Sequence, residues 1–222
     1  MDAVNMQAPR QQSEGPVLIV RGLHPYKVNA DGLFNLLCLY GNVEKVKFLA
    51  GEPGSALVQM ADSLGAERAA KLLHSAEFFG SVVQVYRTTL DSADSSEPLF
   101  RLADGTESLK HYAYSDYNRF STSADAARNH IRPPSRWLHF FNAPAKIISY
   151  DIRGLLSLLG CSAPESITVF ASKTGFTTSG LIQFETASAA VEAVVACNHV
   201  RLVDDCGSAG LVLKLNFFPR KH

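Results

Sequence analysis

The sequence predicts an α+β protein built from two β-α-β-β-α-β units joined by a long linker. Three observations lead to that expectation. Of 222 residues, 46% are hydrophobic and 19% charged; this supports packed cores, and the length suits one large domain or two small ones. The chain also repeats itself. Ser55-Ala-Leu-Val-Gln-Met60 precedes Ser179-Gly-Leu-Ile-Gln-Phe184 by 124 residues, and Ala66 with Ala190 and Ala69 with Ala193 keep the same offset. Finally, periodic segments follow one another in the same order in both copies.

Each copy opens on an apolar run of strand length, Val17–Gly22 and Trp137–Phe141. A helix comes next. In the first copy Asn29 is the expected N-cap, Leu33, Leu36, Leu37 and Tyr40 make an apolar stripe, and Gly41 ends it. In the second, Ser149 is the expected cap, Ile152, Leu155, Leu156 and Leu159 the stripe, and Gly160 the stop. Val43–Phe48 and Ile167–Phe170 alternate as strands, followed by the two repeated strands after Ser55 and Ser179. Second helices are expected over about Leu64–His74 and Ser188–Asn198, and closing strands over Val82–Arg87 and Leu211–Phe217. This order is the ferredoxin-like split βαβ unit: a four-stranded antiparallel sheet with both helices on one face. The other face is expected to be open.

The implied organisation is a disordered segment at 1–16, a first domain at 17–88, a linker packed on the domains at 89–135 and a second domain at 136–222. Lysine plus arginine and aspartate plus glutamate both total 21. The two periodic blocks are slightly basic and the linker acidic, notably in Asp91-Ser-Ala-Asp-Ser-Ser-Glu-Pro98. A neutral chain cannot hold nucleic acid by bulk charge alone, although stacking remains open to it. Apolar runs are too short to cross a membrane, and polar Met1 to Gly15 lacks a signal-peptide core. Four cysteines are too few for a disulfide scaffold and suit a reducing compartment.

Strand periodicity sorts the two faces of each sheet. In the first unit Leu18, Val20, Val46, Phe48, Ala56, Val58, Val83 and Val85 should face the core. Ile19, Arg21, Lys45, Lys47, Leu57, Gln59, Gln84 and Tyr86 should face outward. In the second unit the outer set is His139, Phe141, Thr168, Phe170, Leu181, Gln183, Lys214 and Asn216. Such a face combines rings and an aliphatic floor for stacking, amides for base edges and cations for phosphates. The plainer alternative is that Phe141 and Phe170 pack under a loop or the linker, and that the lysines are a solvated face.

The strand pair Leu18-Ile-Val-Arg-Gly-Leu23 and Pro53-Gly-Ser-Ala-Leu-Val-Gln-Met60 resembles the six- and eight-residue motifs of RNA recognition motifs (RRMs). Leu138-His-Phe-Phe-Asn-Ala143 and Thr177-Thr-Ser-Gly-Leu-Ile-Gln-Phe184 do the same in the second unit. Both depart from the consensus: Ile19 and His139 stand at the first-strand stacking position, and Ser55, Leu57, Ser179 and Leu181 at the third-strand aromatic positions. Such departures are similar to the polypyrimidine-tract-binding and heterogeneous nuclear ribonucleoprotein L group. Leu39–Phe48, Asn118-Arg-Phe-Ser-Thr122 and Leu138–Pro144 resemble the third and fourth RRMs of the latter family and their linker. The resemblance, over about residues 16–218, implies a nuclear, monomeric, non-enzymatic binder of single-stranded, CA-rich RNA. It implies a role in splicing regulation and mRNA processing, with other ribonucleoprotein components as possible partners. Family members carry further RRMs upstream, so a fragment or short isoform is expected. The competing expectation is that the weak motifs are genuine losses and the units are protein-interaction modules.

Other chemistry finds little support. Cys197, His199 and Cys206 offer three potential zinc ligands where four are wanted, without a Cys-x₂₋₄-Cys pair, so no metal or cofactor is expected. No nucleophile elbow or phosphate-binding glycine loop is present. Tyr112, Tyr114 and Tyr117 read as packing groups, and Ala124–Ile131 as a short helix pinning the linker. The second helix of the first unit shows polar Glu67 and Lys71 outward, whereas the offset of 124 lands on Val191 and Val195. Phe34 and Cys38 are left outside the first helix's core stripe. Two apolar patches predict packing of the units through their helical faces, Phe34 and Cys38 against Val191 and Val195, with Tyr117 and Phe120 covering the edge.

Overall fold

The computed structural model describes residues 15–94, 96–122, 129–172, 175–202 and 210–219. The first unit contains β1 (Val17–Arg21), α1 (Ala30–Leu37), β2 (Val43–Phe48), β3 (Ala56–Met60), α2 (Ser63–Leu73), β4 (Ala76–Phe78) and β5 (Ser81–Arg87). A linker strand, β6 (Leu109–His111), comes next. The second unit contains β7 (Trp137–Pro144), α3 (Ser149–Leu158), β8 (Ser166–Val169), β9 (Thr177–Gln183) and α4 (Ala187–Cys197). Short β10 (Arg201–Leu202), β11 (Leu211–Val212) and β12 (Lys214–Phe217) end it. No described helix is long and apolar enough to cross a membrane.

The second sheet has the expected four strands, in the order β12-β7-β9-β8, with β10 and β11 forming a separate ribbon. The first has six, in the order β4-β5-β1-β3-β2-β6. One addition is β4, which pairs as a hairpin with β5, the expected closing strand. The other is β6, which pairs antiparallel with β2 through Lys45, Val46 and Lys47 and closes the open backbone edge of that strand. The linker is thus part of the first sheet. The expected helix over Ala124–Ile131 falls largely outside the described residues.

Helix ends follow local chemistry. Asn29 Oδ1 accepts from Gly32 N at 2.8 Å, capping α1. Ser149, expected to cap α3, is instead its first helical residue. The chain enters through Ile148, whose amide donates to Asp151 Oδ2 at 2.9 Å, so an acidic side chain in the first turn does the capping. Gly160, at φ +70°, ends α3 in the left-handed conformation that a side chain disfavours. Gly41 has a different task. A Cβ there would lie 2.7 Å from the Gly65 Cα, so the missing side chain permits close approach to α2.

Two apolar layers meet in one continuous core. Leu18, Val20, Val46, Phe48, Ala56, Val58, Val83 and Val85 face the helices in the first unit, and Leu138, Phe140, Ile182, Leu215 and Phe217 in the second. The units pack helix to helix, α1 against α4. Asn35 Nδ2 donates to the Val195 carbonyl at 3.0 Å, and Asn198 Nδ2 to the Asn35 carbonyl at 2.8 Å. Phe79 N donates to Glu192 Oε1 at 2.6 Å. Both sheets therefore turn their outer faces away from the junction.

Candidate nucleic-acid interface

On the second sheet, strand pairing builds two adjoining rows. Asn216 pairs with His139, which pairs across β9 with Leu181, and Leu181 with Thr168; Lys214 pairs with Phe141. Residues between these rows point into the core, so the face alternates between half-exposed and buried along β7, β9 and β12. His139 and Phe141 stack on each other at 5.5 Å between centroids and 20° between planes. Burial lowers the His139 pKa, which favours the neutral ring. A bulge at Phe141–Asn142, with Asn142 at φ +59°, ends the regular pairing next to this pair.

The remaining outer residues are placed less uniformly. Phe170 lies one residue beyond β8, anchored by its amide to the Ser179 carbonyl at 2.8 Å and 43% exposed. The Gln183 amide is engaged by Glu165 and Ser166. Asn216 donates to the His130 carbonyl at 3.3 Å. The Arg119 guanidinium sits 5.7 Å from the Phe141 ring, so the linker uses part of that ring's surface. The second face is open over His139, Phe141, Leu181 and Phe170, with Lys214 beside them.

The first sheet corrects the expectation of an open face. Ile19 pairs with Leu57 and Tyr86, and Leu57 with Lys47, forming the predicted row. Yet Ile19 and Leu57 are buried, in a small cluster with Val17, Leu49 and Ala93. What covers them is the acidic stretch after β5. Lys45 Nζ meets Asp94 Oδ1 at 2.7 Å, and Lys47 Nζ donates to the Glu97 carbonyl at 3.2 Å. Gln59 Oε1 accepts from Ser92 Oγ and from Ala93 N, both at 3.1 Å. Arg21 is paired with Glu52 at 3.1 Å. Tyr86, at 44% exposure, is the large ring of this row left outside the cover, edge-on to His74 at 4.8 Å.

At the junction Phe34 stacks on Tyr112 of the linker at 4.2 Å and lies 5.7 Å from the His199 ring. Tyr117 stacks on His199 at 4.8 Å, and Phe120 N donates to Asn42 Oδ1. Cys38, Val191 and Val195 are buried, and burial pushes the Cys38 thiol up to about 11. Sequence reasoning missed the polar centre of this junction. Arg119 is buried, donating to the Leu215 carbonyl and to Asn198 Oδ1, both at 2.8 Å. His199 Nδ1 faces Asn35 Oδ1 at 2.9 Å, which makes Nδ1 the protonated nitrogen and leaves Nε2 toward Arg119 at 3.3 Å. Burial first, then Arg119 and Lys214, push the His199 pKa down to about 3.

Among the described residues no group of three His, Cys, Asp or Glu side chains converges as metal ligands, and Cys206 lies outside them. Cys197 is buried, 3.6 Å from the Cys161 sulfur.

Residues 3–115 match the RNA recognition motif family, also described as RRM, RBD or RNP domain, and residues 128–222 match an RRM domain family. Heterogeneous nuclear ribonucleoprotein L of Homo sapiens is 39% identical over 95% of this chain and 36% of its own length. Polypyrimidine tract-binding protein homolog 3 of Arabidopsis thaliana is 28% identical over 90% of this chain and 42% of its own. The chain thus spans about a third of the first relative. Solved Sex-lethal RNA recognition domains 1 and 2 from Drosophila melanogaster cover 92% of this chain and 100% of theirs, at 14% identity. Their TM-score of 0.27 is too low to bear on function or on module arrangement.

Proposed function

The chain belongs to the RNA recognition motif family, and from that premise we propose that it binds single-stranded, CA-rich RNA chiefly through its second sheet. That family is one of RNA-binding modules rather than enzymes. The observation that carries the reading is the half-exposed, mutually stacked His139–Phe141 pair, flanked by Leu181, Phe170 and Lys214. A neutral imidazole and a phenyl ring offer π-faces to unpaired bases, Leu181 an aliphatic floor, and Lys214 a phosphate contact. CA preference, a nuclear site of action and a part in splicing and mRNA processing rest on the likeness to heterogeneous nuclear ribonucleoprotein L. In the first module Arg21, Lys45, Lys47 and Gln59 are already engaged. That favours a second reading for this module alone, as a surface for protein partners.

The test is Phe141→Ala, read by fluorescence anisotropy with a CA-repeat oligonucleotide. Stacking is worth roughly 1–3 kcal/mol per base, so affinity should fall about tenfold or more with the circular dichroism spectrum unchanged. Because Phe141 also touches Arg119, His139→Ala is measured alongside and should weaken binding too. Unchanged affinity in both variants refutes the assignment.

A further inference from the structure

The cover on the first sheet has the chemistry of the ligand that such a face would bind. Its Asp94 carboxylate occupies Lys45 as a phosphate oxygen would, and the Glu97 carbonyl occupies Lys47. The Ala93 amide and Ser92 hydroxyl donate to Gln59 Oε1, where a base edge would donate. The fully buried Ala93 methyl sits in one cluster with Ile19 and Leu57, the floor on which a base would rest. A second anchor fixes the far end: Gly51 N donates to Glu97 Oε2 at 3.2 Å. Asp94 and Ser96 are themselves exposed, so the segment lies over the face rather than forming part of the core.

We propose that Ser92, Ala93, Asp94 and Glu97 are a built-in stand-in for RNA, a strap that holds the first module's binding face closed and that RNA must displace. The inference rests on the reading of the chain as an RNA-binding protein. It gives the two modules unequal roles. RNA engages the second module first, and the first module joins only when the strap lifts, exposing Ile19, Leu57, Lys45, Lys47 and Gln59 together. The connection from β5 to β6 gives the segment length to move while β6 stays paired.

The test is the full chain carrying Ala93→Asn and Asp94→Ala, compared with the unchanged chain. The larger polar side chain cannot enter the apolar floor, and the second change frees Lys45; both positions lie outside the fold's helices and strands. In the unchanged chain a short CA-repeat oligonucleotide should shift the signals of the second sheet while Ile19 and Leu57 methyl signals move little. In the variant these methyls should shift with RNA, and affinity for a longer CA repeat should rise about threefold to tenfold, as expected if the open state is a minor one. The log–log salt slope should steepen by about 1.4, at about 0.7 for each lysine released to phosphate. Weaker binding by the variant would show that the strap belongs to the RNA surface, and overturns the proposal. So would RNA-induced shifts at Ile19 and Leu57 of equal size in both chains. Binding through the second sheet with no gain at the first overturns the strap alone. No binding by either chain overturns the RNA reading with it.

Discussion

Gly32→Ala is the sharpest probe of how the two modules meet. Gly32 lies in the first turn of α1, and a Cβ there would sit 2.7 Å from the Val195 Cγ1 of α4. Two effects of opposite sign follow. Alanine is the better helix former by about 0.8–1 kcal/mol, which stabilises the first module wherever it stands. Against that, a methyl forced into a packed contact costs typically 1–3 kcal/mol, and a β-branched valine has little freedom to turn aside. In the intact chain the net effect should be a loss of about 0–2 kcal/mol. In a Val195→Ala background the clash disappears and the same substitution should stabilise, by up to about 1 kcal/mol. The pair should therefore show a coupling of about 1–3 kcal/mol, whereas sites that do not touch add within a few tenths. Urea unfolding of the four proteins supplies the cycle. If Gly32→Ala stabilises equally in both backgrounds, α1 and α4 do not touch in solution, and the helix-to-helix packing is refuted.

Two further outcomes follow from the charges. With Lys45 and Lys47 held by the strap and Lys214 available on the second sheet, RNA affinity should depend weakly on salt, with a log–log slope on the order of −1; a slope beyond about −5 would mean binding dominated by other cations. His199 is held neutral in the fold, with its pKa pushed down to about 3 between Asn35, Arg119, Tyr117 and Phe34, with Lys214 also acting on it. The unfolded chain takes up a proton near pH 6.5, so this contribution is full above that pH and is lost as pH falls toward 3, by at most about 1.4 kcal/mol per pH unit. Urea midpoints between pH 7 and 5 should fall in the unchanged chain and change less in His199→Asn; equal pH dependence in the two would contradict it.

Much of this architecture can be read from residue order. The 124-residue offset locates both sheets, and the period of two separates Ile19, Lys47 and Leu57 from Leu18, Val46 and Val58, as the strand registers have them. What escapes such reading is decided at long range. Leu109-Lys-His111 is too short to show a period, and becomes a strand because the edge of β2 offers unpaired backbone groups. The acidic stretch after β5 looks like an exposed linker, since nothing in its order says that Asp94 reaches Lys45 across 49 residues. Charge complementarity between an acidic segment and an alternating-lysine strand was the available signal. Arg119 was equally hidden: its place in the linker depends on Asn198 and on the Leu215 carbonyl, which only the folded second module brings together. Ser149 misleads for a local reason, because Asp151, two residues further on, supplies the oxygen that accepts from the Ile148 amide.

The most direct measurement is an NMR titration of the whole chain with a CA-repeat oligonucleotide, with a U-tract as control. The account predicts that His139, Phe141, Leu181 and Asn216 shift most, that the CA repeat saturates at lower concentration than the U-tract, and that α1 and α4 signals stay in place. Shifts confined to the helices, or sheets silent to both oligonucleotides, would contradict it.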